Sequence, residues 1–148
     1  MAVTVRDAIP GDTPSLEIVR RQAIESSFSS SFDRTTYADM VARPDAELPE
    51  QINQDRWVVR LAETPVTPVT YAVADTTTNE LLSIYTSPDY ERRGYARRVF
   101  ESLEHDLGSP ITATVPEPAL GFFRAIGFHP TGVTHQIGIP HVEMEKAD

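Results

Sequence analysis

The stretch "NELLSIYTSPDYERRGYARRVFESLEHDL" (79–107) changes its hydrophobic period at Pro88, and this constrains the fold more than any other feature of the chain. Residues 79–88 are apolar on both faces, the pattern of a strand covered on both sides. Beyond Pro88, Ala96, Val99, Phe100, Leu103 and Leu107 recur at helical spacing. They define one face of a helix running from Gly94 to Leu107. A covered strand that hands over directly to an amphipathic helix is the building unit of an α/β sheet.

The flanking segments extend this pattern. Residues 3–8, "VTVRDA", alternate like a short strand. In "GDTPSLEIVRRQAI", Asp12 or Thr13 can cap a helix and Pro14 suits its first turn. "SSFSSSF" (26–32) reads as a loop that packs through its phenylalanines, "RTTYADMVAR" (34–43) as a second helix closed by Pro44, and "ARPDAELPEQ" (42–51) as an exposed connection. Two strands follow, with Trp57, Val59 and Leu61 on one face of the first and Val69, Tyr71 and Val73 on one face of the second. After the central strand and helix come a buried strand "ITATV" (111–115), a short helix over 117–126 and two closing strands. The expected fold is a single α/β domain, residues 1–148, with a mixed central sheet of about six to seven strands flanked by about four helices.

The totals exclude several functions. The chain has 148 residues and a net charge of -9, with 22 acidic residues and no cysteine. Disulfides, thiolate metal sites and a cysteine nucleophile are therefore ruled out. His105, His129, His135 and His141 show no ligand spacing, so no metal is expected. The acidic balance is opposite to that of a nucleic-acid binder. No apolar run has the length of a membrane span, and the start reaches Arg6 and Asp7 at once, unlike a secretory signal. A cytoplasmic protein is expected, without nucleic-acid or membrane partners. Lys146 is the only lysine. An acidic surface of this kind suits either life in high salt or simple solubility.

Against that background, Arg92, Arg93, Arg97 and Arg98 crowd around Gly94. The first turn of a helix leaves backbone N–H groups unpaired and carries partial positive charge. Such an end binds phosphate, and a glycine lets the backbone approach an anion closely. The arginines can add charge-assisted hydrogen bonds. The alternative is that they coat the helix and pair with Asp89, Glu91, Glu101 and Glu104.

The series "LLSIYTSP", "YERRGYARRVFESLEHDL" and "ALGFFRAIGF" resembles the GNAT superfamily of N-acetyltransferases. The opening "VTVRDAIPGDTPSLEIVRRQAI" and the closing "GIPHVEMEK" are similar to that family's first and last elements, so the resemblance spans nearly the whole chain. It implies acetyl-CoA, or another acyl-CoA, as co-substrate. By position, Ile84, Tyr85 and Thr86 would face the pantetheine and acyl group. Arg92, Arg93, Gly94, Tyr95, Ala96 and Arg97 would form the diphosphate turn. Phe122 and Phe123 would pack near the thiol end. Glu80 stands where relatives place an acidic residue that takes a proton through water. Tyr85 is the nearest candidate for the acid that protonates the thiolate.

Two positions depart from the family pattern. Glu91 stands where Gln or Arg opens the turn motif, and a carboxylate there must point away or pair with an arginine. Phe123 stands where many relatives have Tyr, and it supplies no hydroxyl. The expected activity is transfer of an acetyl group to a primary amine by direct attack in a ternary complex. The acceptor would be a small-molecule or peptide amine, selected by the first two helices, with Phe28, Phe32 and Tyr37 lining a pocket or packing the helix pair. The competing expectation is a non-catalytic acyl-CoA-binding module on the same fold. A homodimer through the last strands suits this fold.

Overall fold

The computed structural model describes residues 2–28, 48–116, 119–136 and 139–147. The elements are β1 (Thr4–Asp7), α1 (Thr13–Phe28), α2 (Leu48–Asn53), β2 (Trp57–Glu63), β3 (Pro68–Asp75), β4 (Glu80–Thr86), α3 (Tyr95–Glu104), β5 (Ile111–Pro116), α4 (Leu120–Ala125), β6 (His129–Gln136) and β7 (Ile139–Lys146). They form one seven-stranded sheet of order β1-β2-β3-β4-β5-β7-β6. Only β4 and β5 run parallel; the other neighbours are antiparallel. Parallel neighbours need a crossover connection, and α3 supplies it between β4 and β5.

Helices cover the sheet on both faces. On one side, Val99, Phe100 and Leu103 of α3 pack with Phe123, Ile126 and Phe128 over Ala62, Ala72, Ala74, Leu81, Ala113 and Met144. The alanines on β2, β3 and β5 leave room for α3 to lie close to the sheet. On the other side, Leu16 and Val19 of α1 and Leu48 of α2 pack over Val59, Leu61, Tyr71 and Val73. Every residue of β3 is buried. Each large apolar side chain removed from water in this way contributes about 1.5–3 kcal/mol.

The structure differs from the sequence-based expectation at several points. Ser26 to Phe28 extend α1 rather than opening a loop. The segment expected as an exposed connection contains α2, because Leu48 is apolar and fully buried against the α1 core. The expected helix over 34–43 lies outside the described residues. Asp12 does not cap α1. Its carboxylate accepts hydrogen bonds from both terminal nitrogens of Arg6 and from the Ile9 N–H. Arg6 also reaches Glu63 through two hydrogen bonds, so one guanidinium ties the β1 edge to β2 and to the turn before α1. Both carboxylates are held below the usual carboxylate range, first of all by the Arg6 hydrogen bonds.

The strand covered on both sides is β3, not β4. In β4 only Leu81 is buried; Leu82 is exposed and Ser83 to Thr86 are half-buried. The cause is the pairing of β4 with its parallel neighbour.

Candidate active site

The partnership of β4 and β5 is short. Glu80 pairs with Thr112 and Leu81 with Ala113, and the register goes no further. On its other edge, β4 stays paired with β3 as far as Thr86, and the Ser87 N–H still donates to the Val69 carbonyl at 2.8 Å. The two strands therefore diverge beyond Leu81, and a wedge opens between them. A bulge sits at the mouth. Val73 opposes Ser83 and Ala74 opposes Leu81, leaving Leu82 without a partner on β3. A bulge of this kind re-aims the side chains that follow it.

The register sorts the β4 side chains by face. Glu80, Ser83 and Tyr85 oppose Asp75, Val73 and Tyr71, on the face that carries α1. Leu81, Ile84 and Thr86 oppose Ala74, Ala72 and Thr70, on the face that carries α3. The structure thus brings Glu80 and Tyr85 to one face and separates them from Ile84 and Thr86. The rings of Tyr85 and Tyr71 lie 5.6 Å apart. Thr86 Oγ1 accepts from Thr70 Oγ1 at 3.2 Å.

The turn after β4 is built on two left-handed residues, Arg92 at φ 63° and Gly94 at φ 80°. A non-glycine residue held there costs roughly 1–2 kcal/mol. Alternation of left-handed residues in a turn is the pattern from which backbone anion-binding nests are made. Gly94 is the N-cap of α3 and supplies no side chain to the cap. The first helical hydrogen bond runs from the Arg98 N–H to the Gly94 carbonyl at 3.0 Å, so the amides of the preceding turn lie ahead of the helical ladder. A Cβ placed on Gly94 would meet nothing within 4 Å, so the corner is open rather than plugged.

The four arginines do not pair with the neighbouring acids. Among the described residues, none of them forms an ion pair with Asp89, Glu91, Glu101 or Glu104, and Glu104 is taken by Lys146. Arg92 is exposed. Arg93 lies over the Tyr90 ring, 5.3 Å from its centroid. Arg97 donates to the Ala125 carbonyl at 2.9 Å, closing the end of α4. Arg98 reaches back to the Val3 carbonyl. Tyr95 and Ala96 are half-buried at the start of α3. Glu91 is exposed on an extended backbone.

Phe122 and Phe123 meet edge to face, with ring centroids 5.6 Å apart, but differ in burial. Phe122 is half-buried. Phe123 is 5% exposed and packs edge-on against Phe128 at 5.2 Å, deep in the α3 core. Phe32 and Tyr37 lie outside the described residues, as does the side chain of Phe28. Among the described residues, no group of three or more His, Asp or Glu is placed to hold a metal ion. No helix among them is long and apolar enough to cross a membrane.

Glu80 stands at the base of the wedge, and its carboxylate makes no hydrogen bond or ion pair among the described residues. Burial pushes its proton affinity up, and the charge of Asp75 adds to this. Sequence reading missed what surrounds it. Asp75 and Arg56 lie on one side. On the other, Asn79, at φ 60°, donates to the Gly108 and Pro110 carbonyls and accepts from the Gly108 N–H. The dipeptide "NE" at the end of "DTTTNE" hinted at a left-handed turn residue, but not at its partners thirty residues on.

Comparison with known proteins fits this geometry. A family model described as an acetyltransferase (GNAT) domain matches residues 19–147. No curated protein sequence matches the chain. Among solved structures, the PaiA N-acetyltransferase of Thermoplasma acidophilum, in complex with coenzyme A, superposes with a TM-score of 0.85 at 16% identity, covering 100% of both chains. YncA, a putative acetyltransferase from Salmonella typhimurium with its cofactor acetyl-CoA, gives 0.70 at 17% identity, covering 99% of this chain and 94% of that one. The ribosomal-protein-S18-alanine N-acetyltransferase of Escherichia coli gives 0.68 at 17%, over 99% and 94%. At such identities the likeness carries the fold, and the family match carries the membership: the chain belongs to the GNAT acetyltransferase family.

Proposed function

We propose that the protein transfers an acetyl group from acetyl-CoA to an amine. The observation that carries this reading is the wedge beyond Leu81 and Ala113, which ends at an open glycine turn with unpaired amides. The residues present fit the co-substrate. The amides of residues 94–97 would hold the diphosphate, and the exposed Arg92, with Arg93 over the Tyr90 ring, would add charge. The β4 edge that β5 leaves open, residues 82–86, would pair with the amides of the pantetheine arm as an added strand does.

Bound there, acetyl-CoA supplies an activated acetyl thioester. The chain must supply an amine without its proton. Glu80 is the proton acceptor in this reading, reached directly or through water. Its raised proton affinity brings it closer to a working pH near neutrality than an ordinary carboxylate. Ser83 and Tyr85 share its face and line the approach. A row of side chains crosses the sheet here, Asp75, Glu80, Thr112 and Glu145. Its three carboxylates favour a cationic acceptor, an attraction that salt screens.

The identity of residue 123, a phenylalanine without a hydroxyl, favours a second reading, a module that binds acyl-CoA without turnover. Thermal melts with acetyl-CoA and thiol release across an amine panel separate the two. Saturation to a hundred times the dissociation constant stabilises by about 2.7 kcal/mol. Stabilisation with thiol release supports transfer; stabilisation without release supports the binding module. No stabilisation at millimolar acetyl-CoA, in low or high salt, sinks both.

A further inference from the structure

The hairpin that delivers Glu80 breaks a packing rule. Asp75 and Glu80 are directly opposed across β3 and β4. Opposed positions bring side chains within about 5 Å, and like charges there are destabilising. Nothing neutralises the pair symmetrically. Asp75, 5% exposed, is fully partnered: it accepts from Arg56 Nε and Nη2, the latter at 2.8 Å, and from the N–H groups of Thr77 and Thr78. These donors hold it well into the ionised range, to about 2, with Arg56 the first cause. Arg56 is itself fixed over the Trp57 ring at 4.9 Å. Glu80 has no such partner among the described residues. Other charged or titratable groups on this face, among the described residues, are Glu145, Glu143 and His141 on β7, with Glu145 beside His129 at 3.8 Å, Glu17 and Arg20 on α1, and the Arg6–Glu63–Asp12 cluster at the far β1 edge.

We propose that Asp75 and Arg56 are positioning residues that act through Glu80: Arg56 keeps Asp75 permanently charged, and that charge faces Glu80 and keeps it ready to take a proton. A purely structural pair would close the 76–79 turn equally well with Glu80 elsewhere. Here a carboxylate without a partner among the described residues is placed opposite the partnered one, and the backbone on its far side is pinned by Asn79. Local rules broken in this way are expected at functional sites. The inference rests on the reading of Glu80 as proton acceptor.

The test follows the Glu80 carboxyl by carbon-13 NMR in the full-length chain, its resonance identified by loss in Glu80→Gln. Asp75→Asn keeps the acceptor for Thr77 and Thr78 but removes the charge. It should lower the Glu80 midpoint by about half a pH unit or more, the size of a like charge at this distance near water. Arg56→Gln removes the offsetting charge and should raise it. Opposite signs are the signature. If the pair only closes the turn, both substitutions loosen it and move Glu80 the same way, towards its ordinary value. Shifts of one sign, or no shift in Asp75→Asn, overturn the proposal. Fluorescence of Trp57, the single tryptophan, checks that each variant is folded. A kinetic arm, using acetyl-CoA and an amine that releases thiol in the panel, keeps the two claims apart. An acidic limb of kcat/KM that survives Glu80→Gln removes Glu80 as acceptor. A limb that depends on Glu80 but is unmoved by Asp75→Asn removes only the role of Asp75.

Discussion

Leu81 and Ala113 form the last backbone pair between β4 and β5. Beyond them β4 keeps its antiparallel partner and loses its parallel one, so its side chains become half-exposed although their sequence is apolar. The site proposed here depends on that divergence and on the open turn thirteen residues later in the chain.

Gly94→Trp should weaken acetyl-CoA binding about tenfold or more, a loss of about 1.4 kcal/mol or greater. Space in front of Gly94 is open, so the fold survives, less about 1–2 kcal/mol for a side chain at positive φ. Calorimetric titration of the folded variant checks this. Unchanged affinity removes the diphosphate from this turn.

Glu80→Gln should stabilise the protein at neutral pH. The carboxyl is raised by burial first and by Asp75 second, from an ordinary value of 4.5. A raised acid contributes stability below its ordinary value and loses it as pH rises through the folded value. The ionised form is thus the destabilising one. The melting temperature of Glu80→Gln should exceed wild type at pH 7 and converge with it near pH 4. Asp75 runs the other way. Lowered from 3.8 to about 2, it contributes above 3.8 and is lost as pH falls towards about 2. Asp75→Asn should flatten the acid limb of stability in that window.

Phe123→Tyr should lower stability by about 1–3 kcal/mol without raising turnover. Its ring sits against Phe128, and the added hydroxyl would be buried without a partner. Differential scanning calorimetry and thiol-release kinetics test the two halves. Faster turnover in the variant would mean that this side chain reaches the reacting group after all.

How far this could be read from the chain depends on range. The amphipathic face of α3 and the order of strands are local, periodic signals, and they gave the α/β layout. The divergence of β4 from β5 is set by register between strands about thirty residues apart, which no local pattern encodes; hence β4 reads as covered when it is not. Leu48 was unreadable for the same reason, since its burial depends on where α1 lies. The aim of long side chains is likewise non-local. Arg97 reads as a phosphate ligand by position, yet its guanidinium closes α4 at Ala125. The Asp75–Glu80 opposition needed the hairpin register. The glycine turn, by contrast, announced itself through residue type alone.

Gly127→Ala should cost about 2 kcal/mol, or roughly 4–8 °C in melting temperature. Gly127 holds φ 107°, and a Cβ there would lie 2.9 Å from Lys146 Cε. Lys146 has little room to yield, being paired with Glu104 and seated over Phe100. An unchanged melting temperature would show that this corner is loosely held.

The most direct measurement is an amide NMR titration with acetyl-CoA. If backbone groups at the head of α3 grip the diphosphate and the open β4 edge receives the pantetheine arm, the largest perturbations fall on the amides of residues 93–97 and 82–86. Saturable binding that leaves both segments unmoved, or no binding at millimolar concentration, contradicts the assignment.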